Sequence, residues 1–225
     1  MPQLRPLLCA LYLTGCAVDD RLALTVPVTA RALADTTLSP ADGVILTLTE
    51  AQLTLAELRL EAPAAVAWRP RLLPVVYAHP GHDPAGGVAG ELLGEWTLDL
   101  LGDDTRLGDA LCYEGPLATA RLRLLPAPAA RLAGIAEVDG VERPFVLTLA
   151  PDQEVTGLGL EAELVAASPP AGLSLSWDLS YGLSFIDWRS PDTDGDDTLT
   201  EADGATLNTA LFGLTSTPTW RLTLE

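Results

Sequence analysis

The stretch Ala133-Gly-Ile-Ala-Glu-Val138, followed by Asp139-Gly140 and Val141-Glu-Arg-Pro-Phe-Val-Leu-Thr-Leu149, decides the fold class. Apolar residues alternate with other residues on both sides of Asp139-Gly140, and this period of two is typical of a half-buried β-strand. Asp-Gly supplies the positive φ angles that a two-residue type I′ turn requires. The stretch therefore predicts a β-hairpin with strands over 133–138 and 141–149.

The same period of two continues along most of the chain. An edge strand is predicted over 22–29, because Pro27 lacks the N–H group that a central strand needs. Gly157 and Gly159 indicate a bulge in a strand over 155–164. Further strands are predicted over residues 44–49, 53–60, 96–101, 118–125, 173–188 and 220–224. About nine or ten strands at regular spacing predict an all-β fold, a single antiparallel β-sandwich, immunoglobulin-like or related.

One short helix is expected near the C-terminus. Thr200 can cap its first turn, residues 201–211 carry it, and Gly213 ends it. Proline and glycine are spread over the loops instead of being concentrated in one linker. Residues 22–225 are therefore predicted to form a single domain.

The first sixteen residues have the layout of a secretory signal peptide. Arg5 gives a positive start, residues 7–13 form an apolar run, and Leu13-Thr14-Gly15-Cys16 follows. The run is too short to cross a bilayer, which takes about 20 apolar residues. Leu-Thr-Gly-Cys resembles the lipobox of bacterial lipoproteins, in which the cysteine is lipidated and becomes the new N-terminus.

This resemblance implies a signal peptide over 1–15, a lipidated Cys16 and a tether over 16–21. The acyl chains would hold the protein on a membrane surface without spanning the bilayer. The expected location is the bacterial cell envelope, either in the periplasm at the outer membrane or on the cell surface.

The composition restricts the partners. The chain has 31 acidic and 13 basic residues, all arginine, and a formal net charge of −18. Phosphate backbones need clustered positive charge, so nucleic acid is not expected as a partner, whereas cations are favoured. Cys9 belongs to the predicted signal peptide and Cys16 to the lipobox. Cys112 is then the only thiol left, and no internal disulfide is expected.

A second motif is the acidic stretch 192–203, which precedes the predicted helix. Calcium takes about six to eight oxygen ligands, and a tight loop presents them at its first, third, fifth, seventh and twelfth positions. The ligand at the seventh position is a backbone carbonyl, and the residue at the ninth position, here Thr200, acts through water. Leu199, at the eighth position, is expected to anchor the loop in the core. The predicted calcium ligands are Asp192, Asp194, Asp196, Thr198 and Asp203.

This spacing resembles the EF-hand-like calcium loop of dockerins and related exported bacterial modules. The sixth position is Asp197, where that family prefers glycine, and strand and turn residues stand where an entering helix would be. A dockerin's second loop is missing, so cohesin binding is not implied. The resemblance implies a structural calcium ion that neutralises clustered carboxylates and fixes the helix. The alternative is a solvated acidic turn whose aspartates cap the helix.

Two histidines lie three residues apart, at His79 and His82, in a glycine-rich loop expected to extend to Glu95. Imidazole is the commonest transition-metal ligand, and the Pro-Gly pair between the histidines can turn both rings to one side. A closed site takes about three or four ligands, and a thiolate among them would favour copper or zinc. The alternative is an ordinary β-turn. The candidate further ligands are Asp83, Glu91, Glu95 and Cys112.

The sequence contains no nucleophile elbow, phosphate loop, CxxC or HExxH motif, so catalysis is not expected. The patterns predict an exported, lipid-anchored protein that captures or traffics a divalent transition metal, copper or zinc, at the cell envelope, or helps an envelope transporter to do so. Calcium would be a structural staple. One alternative is a calcium-stabilised surface module that binds an envelope protein, or a glycan through its tryptophans. The other is a calcium-dependent hydrolase.

Overall fold

The computed structural model describes residues 22–63 and 87–225, and these residues form an all-β fold, as predicted. Two helices, α1 (Leu179–Leu183) and α2 (Thr206–Thr215), lie near the end of the described chain, and a 3₁₀ turn, Thr217–Thr219, follows α2. The strands of the described part are β1 (Ala23–Ala30), β2 (Thr37–Ala41), β3 (Val44–Glu61), β4 (Val88–Asp99), β5 (Thr105–Tyr113), β6 (Gly115–Leu124), β7 (Ala130–Val138), β8 (Val141–Leu149), β9 (Gln153–Leu164), β10 (Leu173–Trp177), β11 (Leu199–Thr200) and β12 (Trp220–Leu224).

The strands belong to one curled sheet. Eight of them follow in the order β9-β6-β3-β4-β5-β1-β10-β12, and β12 returns beside β9, where the Thr217 hydroxyl donates to the Thr156 carbonyl. The first half of β3 pairs with β2 and β7, which extends the sheet to β8 and β11. The β1–β10 and β8–β11 ladders are parallel, so the sheet is mixed. The prediction of a wholly antiparallel arrangement is wrong for these two ladders.

The predicted β-hairpin is confirmed. β7 pairs with β8 along its whole length, from Ala130 opposite Leu149 to Val138 opposite Val141. Asp139 and Gly140 have φ angles of 52° and 83°, as a type I′ turn requires. Both oxygens of the Asp139 carboxylate accept hydrogen bonds from the Arg189 guanidinium, which ties the turn to the segment after α1.

β3 joins two strands that the sequence predicts as separate, 44–49 and 53–60. The buried positions change phase twice along it, from Leu48 to Ala51 and from Leu55 to Leu58. Each change coincides with a bulge in the ladders on its neighbours, and Glu57 at the second bulge has a positive φ of 44°. A bulge adds one residue to a strand, so after it the buried side chains change from even-numbered to odd-numbered positions or back again. The strand therefore continues through both breaks in its alternation.

β1 lies inside the sheet between β5 and β10, so the prediction of an edge strand over 22–29 is wrong. The Glu114 N–H donates to the Leu22 carbonyl at the start of the antiparallel β1–β5 ladder. In such a ladder every second residue is hydrogen-bonded to the same neighbour, so the even-numbered residues of β1 bond to β5. Pro27 therefore turns its nitrogen to the side of β10, and the ladder with β10 begins only at Val28. The missing N–H group of proline interrupts neither ladder.

The predictions for the last fifty residues are corrected in two places. The strand predicted over 173–188 ends at Trp177, because Asp178 accepts a hydrogen bond from the Tyr181 N–H and starts α1. The helix predicted over 201–211 begins at Thr206 and ends at Thr215. Thr200 does not cap it but belongs to β11, opposite Val146. The closing strand over 220–224 is confirmed as β12.

A single hydrophobic core fills the inside of the curled sheet. Phe145, Leu46 and Leu60 are among its fully buried side chains, and Phe145 packs edge-to-face on Trp188 with ring centroids 5.2 Å apart. The predicted bulge in β9 is confirmed, since its register with β6 shifts there and Gly157 has a φ of 74°. In the described ranges, no helix has the length and apolarity needed to cross a membrane.

Candidate functional site

The acidic loop brings three of its predicted calcium ligands together. Asp192, Asp194 and Asp196 each offer a carboxylate oxygen, and these oxygens lie within 4.8 Å of one another. Asp192 is half-buried, and the other two are exposed. Three oxygens at this spacing can bind one hard cation, which selects oxygen ligands.

The loop is shaped by hydrogen bonds from its own backbone to the Asp192 carboxylate. One oxygen accepts from the N–H groups of Asp194 and Gly195, at 3.1 and 2.7 Å, and the other accepts from Asp197 at 2.7 Å. Gly195 and Asp197 have positive φ angles of 82° and 62°. Asp197 thus adopts the left-handed conformation that glycine favours, which aspartate tolerates better than most residues.

The same hydrogen bonds set the electrostatics of the loop. Donation by the backbone N–H groups of Asp197 and Gly195 lowers the pKa of Asp192. The hydrogen bond that Asp194 shares with the Asp192 carboxylate raises the pKa of Asp194. A shared proton between two carboxylates relieves the repulsion of like charges, and a divalent cation would relieve it in the same way.

Asp203, the predicted twelfth ligand, lies outside this group of three. It is buried, and one oxygen accepts from the backbone N–H and the hydroxyl of Thr193, at 2.9 and 2.8 Å. The other oxygen accepts from the corresponding groups of Thr200, at 2.8 and 3.2 Å. These donors, led by the Thr200 and Thr193 N–H groups, lower the pKa of Asp203 to about 2. Asp203 joins the two ends of the loop to each other.

The exit of the loop is fixed to the sheet. Thr198, the predicted carbonyl ligand, is half-buried, and Leu199 after it is buried in the core, as predicted for the eighth position. Leu199 pairs with Phe145 at the edge of β8, and the Glu201 carboxylate accepts from the Thr148 N–H. The loop is therefore built on the edge of a rigid sheet.

The histidine pair and its neighbour, the predicted transition-metal ligands His79, His82 and Asp83, lie outside the described residues. Glu91 and Glu95 lie in β4, which begins at Val88, so the prediction that the loop extends to Glu95 is wrong. The sequence does not show the alternation of a strand here, because two leucines are adjacent: Leu92 is buried, and Leu93 is apolar but exposed.

Cys112 and Glu91 occupy opposite faces of the sheet. In the β4–β5 ladder Gly90 pairs with Cys112 and Glu91 pairs with Leu111, and paired residues share a face. Cys112 is fully buried in the core, and this burial raises the pKa of its thiol to about 12. The structure does not bring Glu91 and Cys112 together, and it keeps the thiol protonated.

The tryptophans of the described residues do not form an exposed platform for sugars. Trp188 and Trp220 are buried, and their ring N–H groups donate to the carbonyls of Leu183 and Leu214. Trp96 and Trp177 are half-buried, and Trp177 packs edge-to-face on Trp220. Trp68 lies outside the described residues. These side chains stabilise the core and the ends of the helices.

The sequence analysis missed a group of aromatic residues at the surface of α1, α2 and the turn after α1. Tyr181 is next to Phe185, and Phe185 is next to Phe212, with ring centroids 5.3 and 4.9 Å apart. The prediction of a strand over 173–188 concealed this group, because a strand would place its alternate side chains in the core. The alternation of apolar residues continues unbroken to Phe185, so the one local signal was Asp178, a residue type that often caps the start of a helix.

Comparison of the chain with protein-family models, with curated proteins and with solved structures finds no match in any of the three.

Proposed function

We propose that this protein is a calcium-stabilised binding module that is exported and held at the bacterial cell envelope by a lipid on Cys16. The observation that carries the calcium proposal is the convergence of the Asp192, Asp194 and Asp196 carboxylates, within 4.8 Å, on one loop. Calcium has a structural role in this proposal: it neutralises the three carboxylates and holds the loop against β8. Export and lipidation rest on the lipobox resemblance of residues 13–16.

The three carboxylates and the Thr198 carbonyl would hold the ion, and water would supply the remaining oxygens. Asp203 contributes through Thr193 and Thr200, because both of its oxygens already accept hydrogen bonds from these residues. A calcium loop without its bidentate twelfth ligand binds weakly. We therefore expect a Kd on the order of 10⁻⁴ to 10⁻³ M, the range of extracellular calcium modules.

A binding role is favoured over catalysis by the environment of the described candidate groups. Cys112 is buried and protonated, and the acidic loop lies on an open edge of the sheet with exposed carboxylates. We also propose that the two halves of the curled sheet pack as a β-sandwich, since the inner faces of the described strands share one core cluster.

Capture of copper or zinc by His79 and His82 stays a second proposal. It rests on the spacing of the two histidines in the sequence. If such a site exists, Cys112 is not expected to be a ligand, for the reasons of burial and protonation given above. Zinc titration of the protein and of the His79→Ala, His82→Ala double variant tests this proposal separately from calcium.

Calcium titration followed by thermal melting tests the principal proposal. We expect the Tm of the wild-type protein to rise with calcium, because an ion that binds only the folded state stabilises it by about 2.7 kcal/mol at a hundredfold excess over Kd. Magnesium should give a smaller rise, because it requires octahedral geometry and keeps its water.

A pair of variants in the same loop provides the control. Asp194→Asn removes one negative charge and one proposed ligand, whereas Asp197→Asn removes one charge at a position that is not a ligand and tolerates a positive φ. We expect the first to abolish most of the calcium-dependent rise in Tm and the second to preserve it. A wild-type Tm that does not respond to calcium would overturn the calcium proposal.

A further inference from the structure

The two helices and the residues directly after α1 present a row of aromatic side chains to solvent. Tyr181 is 38% exposed and Phe212 is 59% exposed, and the half-buried Phe185 lies between them. Both contacts in the row are edge-to-face, with interplanar angles of 82° and 86°. We call these three residues the aromatic row. Contiguous exposed apolar surface of this kind commonly marks a site of interaction.

The aromatic row is held by a close crossing of the helix backbones. A Cβ atom on Gly213 would lie 1.7 Å from the Gly182 carbonyl oxygen, so α1 and α2 touch without intervening side chains. Tyr181 and Phe212 each stand one residue before these glycines. The Thr219 hydroxyl also donates to the Gly213 carbonyl at 2.6 Å. The backbones that carry Tyr181 and Phe212 are therefore held together before any partner binds, which lowers the entropic cost of binding.

Two exposed carboxylates, Asp178 and Asp187, lie close in sequence to Tyr181 and Phe185 of the aromatic row. Neither helix contains a charged residue, and the Asp178 carboxylate caps α1 at the N–H of Tyr181 itself. Asp187 is exposed two residues after Phe185. Residues 178–216 contain one basic residue, Arg189, whose guanidinium is bound to Asp139.

We propose that the aromatic row is a docking surface for a cationic, apolar segment of another protein, one that combines aliphatic or aromatic side chains with arginine or lysine. The apolar side chains would cover the rings, and the basic groups would meet the Asp178 and Asp187 carboxylates and the ring faces. A second copy of this chain would bring another formal charge of −18 to the surface, and anionic lipid headgroups would be repelled. Charge complementarity therefore selects the basic segment.

Selection from a random peptide library displayed on phage tests this proposal on the full-length protein. The wild-type protein serves as bait, and the Phe212→Ser variant removes peptides that bind elsewhere. We expect the selected peptides to carry a net positive charge together with apolar residues. Synthetic copies should bind the Phe212→Ser and Tyr181→Ser variants at least about tenfold more weakly than the wild type.

Leu93→Ser is the matched control, because Leu93 is 62% exposed on β4, in another part of the molecule, and its replacement should leave the Kd unchanged. Added salt should weaken binding. The proposal is overturned if no peptide distinguishes the wild type from Phe212→Ser, or if the selected peptides are neutral or acidic. It is also overturned if Phe212→Ser abolishes self-association in sedimentation or binding to phosphatidylcholine vesicles, since those results identify a second copy or a lipid surface as the occupant.

Discussion

Asp203 occupies the last position of the acidic loop, and both of its oxygens are used within the protein. Four donors from Thr193 and Thr200 bind its buried carboxylate and lower its pKa to about 2. Three ligand positions in this loop follow from spacing alone, because each lies two residues from the next. The hydrogen bonds of Asp203 cannot be predicted from spacing, because they depend on the hydroxyl directions of Thr193 and Thr200, which the folded loop sets.

Asp203→Asn is expected to lower the Tm by about 5 °C at neutral pH, because the amide replaces one acceptor oxygen by a donor that faces other donors. A carboxylate with a folded pKa near 2, below its ordinary 3.8, stabilises the fold above about pH 4 and loses this effect as the pH falls towards 2. The difference in Tm between wild type and variant should therefore shrink between pH 4 and pH 2. Thermal melts by circular dichroism across this range measure it, and a difference independent of pH would contradict the role given to the charge.

Cys112 is expected to be inert in the folded protein, because its burial raises its pKa to about 12 and leaves almost no thiolate at neutral pH. In a chain that carries Cys9→Ser and Cys16→Ser, a disulfide reagent should react about a hundredfold more slowly without urea than in denaturing urea. Cys112→Ala should likewise leave any zinc affinity unchanged. Rapid reaction of the native protein, or loss of zinc binding in this variant, would show that the thiol is accessible.

At the scale of elements, local signals predict some strands well and others poorly. The hairpin of β7 and β8 follows from Asp139-Gly140 and regular alternation. The full length of β3 cannot be predicted as one strand, because its bulges after Leu48 and Ala56 reverse the alternation of buried residues. α2 begins at Thr206, later than Thr200 indicates, because Thr200 pairs with β8 instead. Tertiary pairing thus overrides the capping preference of one residue.

The crossing of α1 and α2 makes a prediction in which two effects have opposite signs. Replacement of glycine by alanine within a helix ordinarily stabilises it by about 1 kcal/mol. At Gly213, however, the new Cβ would lie 1.7 Å from the Gly182 carbonyl oxygen. This oxygen belongs to the backbone of α1, so it cannot rotate away as a flexible side chain could. Separation of the helices costs more than the gain, so Gly213→Ala should lower the free energy of unfolding by about 2 kcal/mol.

Gly159→Ala is the control for this substitution. No heavy atom lies within 4 Å of a Cβ built there, and its φ is outside the left-handed region, so its effect should stay within about 0.5 kcal/mol. Urea unfolding of both variants measures the difference. Equal stabilities of Gly213→Ala and the wild type would mean that the two helices are not in backbone contact.

The whole molecule shows why topology was harder to predict than class. The all-β class follows from alternation that is local to each strand. The parallel ladder between β1 and β10 joins Val28 to Leu173, and the ladder between β11 and β8 joins Leu199 to Phe145. Nothing near Val28 in the sequence specifies such a distant neighbour. The prediction that β1 is an edge strand failed for this reason. Pro27 removes one hydrogen bond, on one side of the strand and at its own position, and leaves the rest of β1 free to pair.

Net charge acts at the scale of the whole molecule and predicts a dependence on salt. With a formal charge of −18, repulsion between carboxylates opposes the compact state, and exposed ion pairs such as Arg31–Asp104 offset it only weakly because water screens them. Added sodium chloride screens both effects. Because acidic residues outnumber arginines 31 to 13, repulsion dominates, and the Tm should rise with salt.

Two surface variants separate this screening from general effects of salt on the solvent. Glu163→Gln removes an exposed negative charge on β9, and Arg221→Gln removes an exposed positive charge on β12. At low ionic strength the first should raise the Tm and the second should lower it, each by the equivalent of about 0.5 kcal/mol. At high salt both should approach the wild type, because screened charges no longer interact over the distance between strands. Thermal melts at several concentrations of sodium chloride, with calcium held constant, provide the test. If both variants shifted the Tm in the same direction at low salt, local packing and not net charge would control this surface.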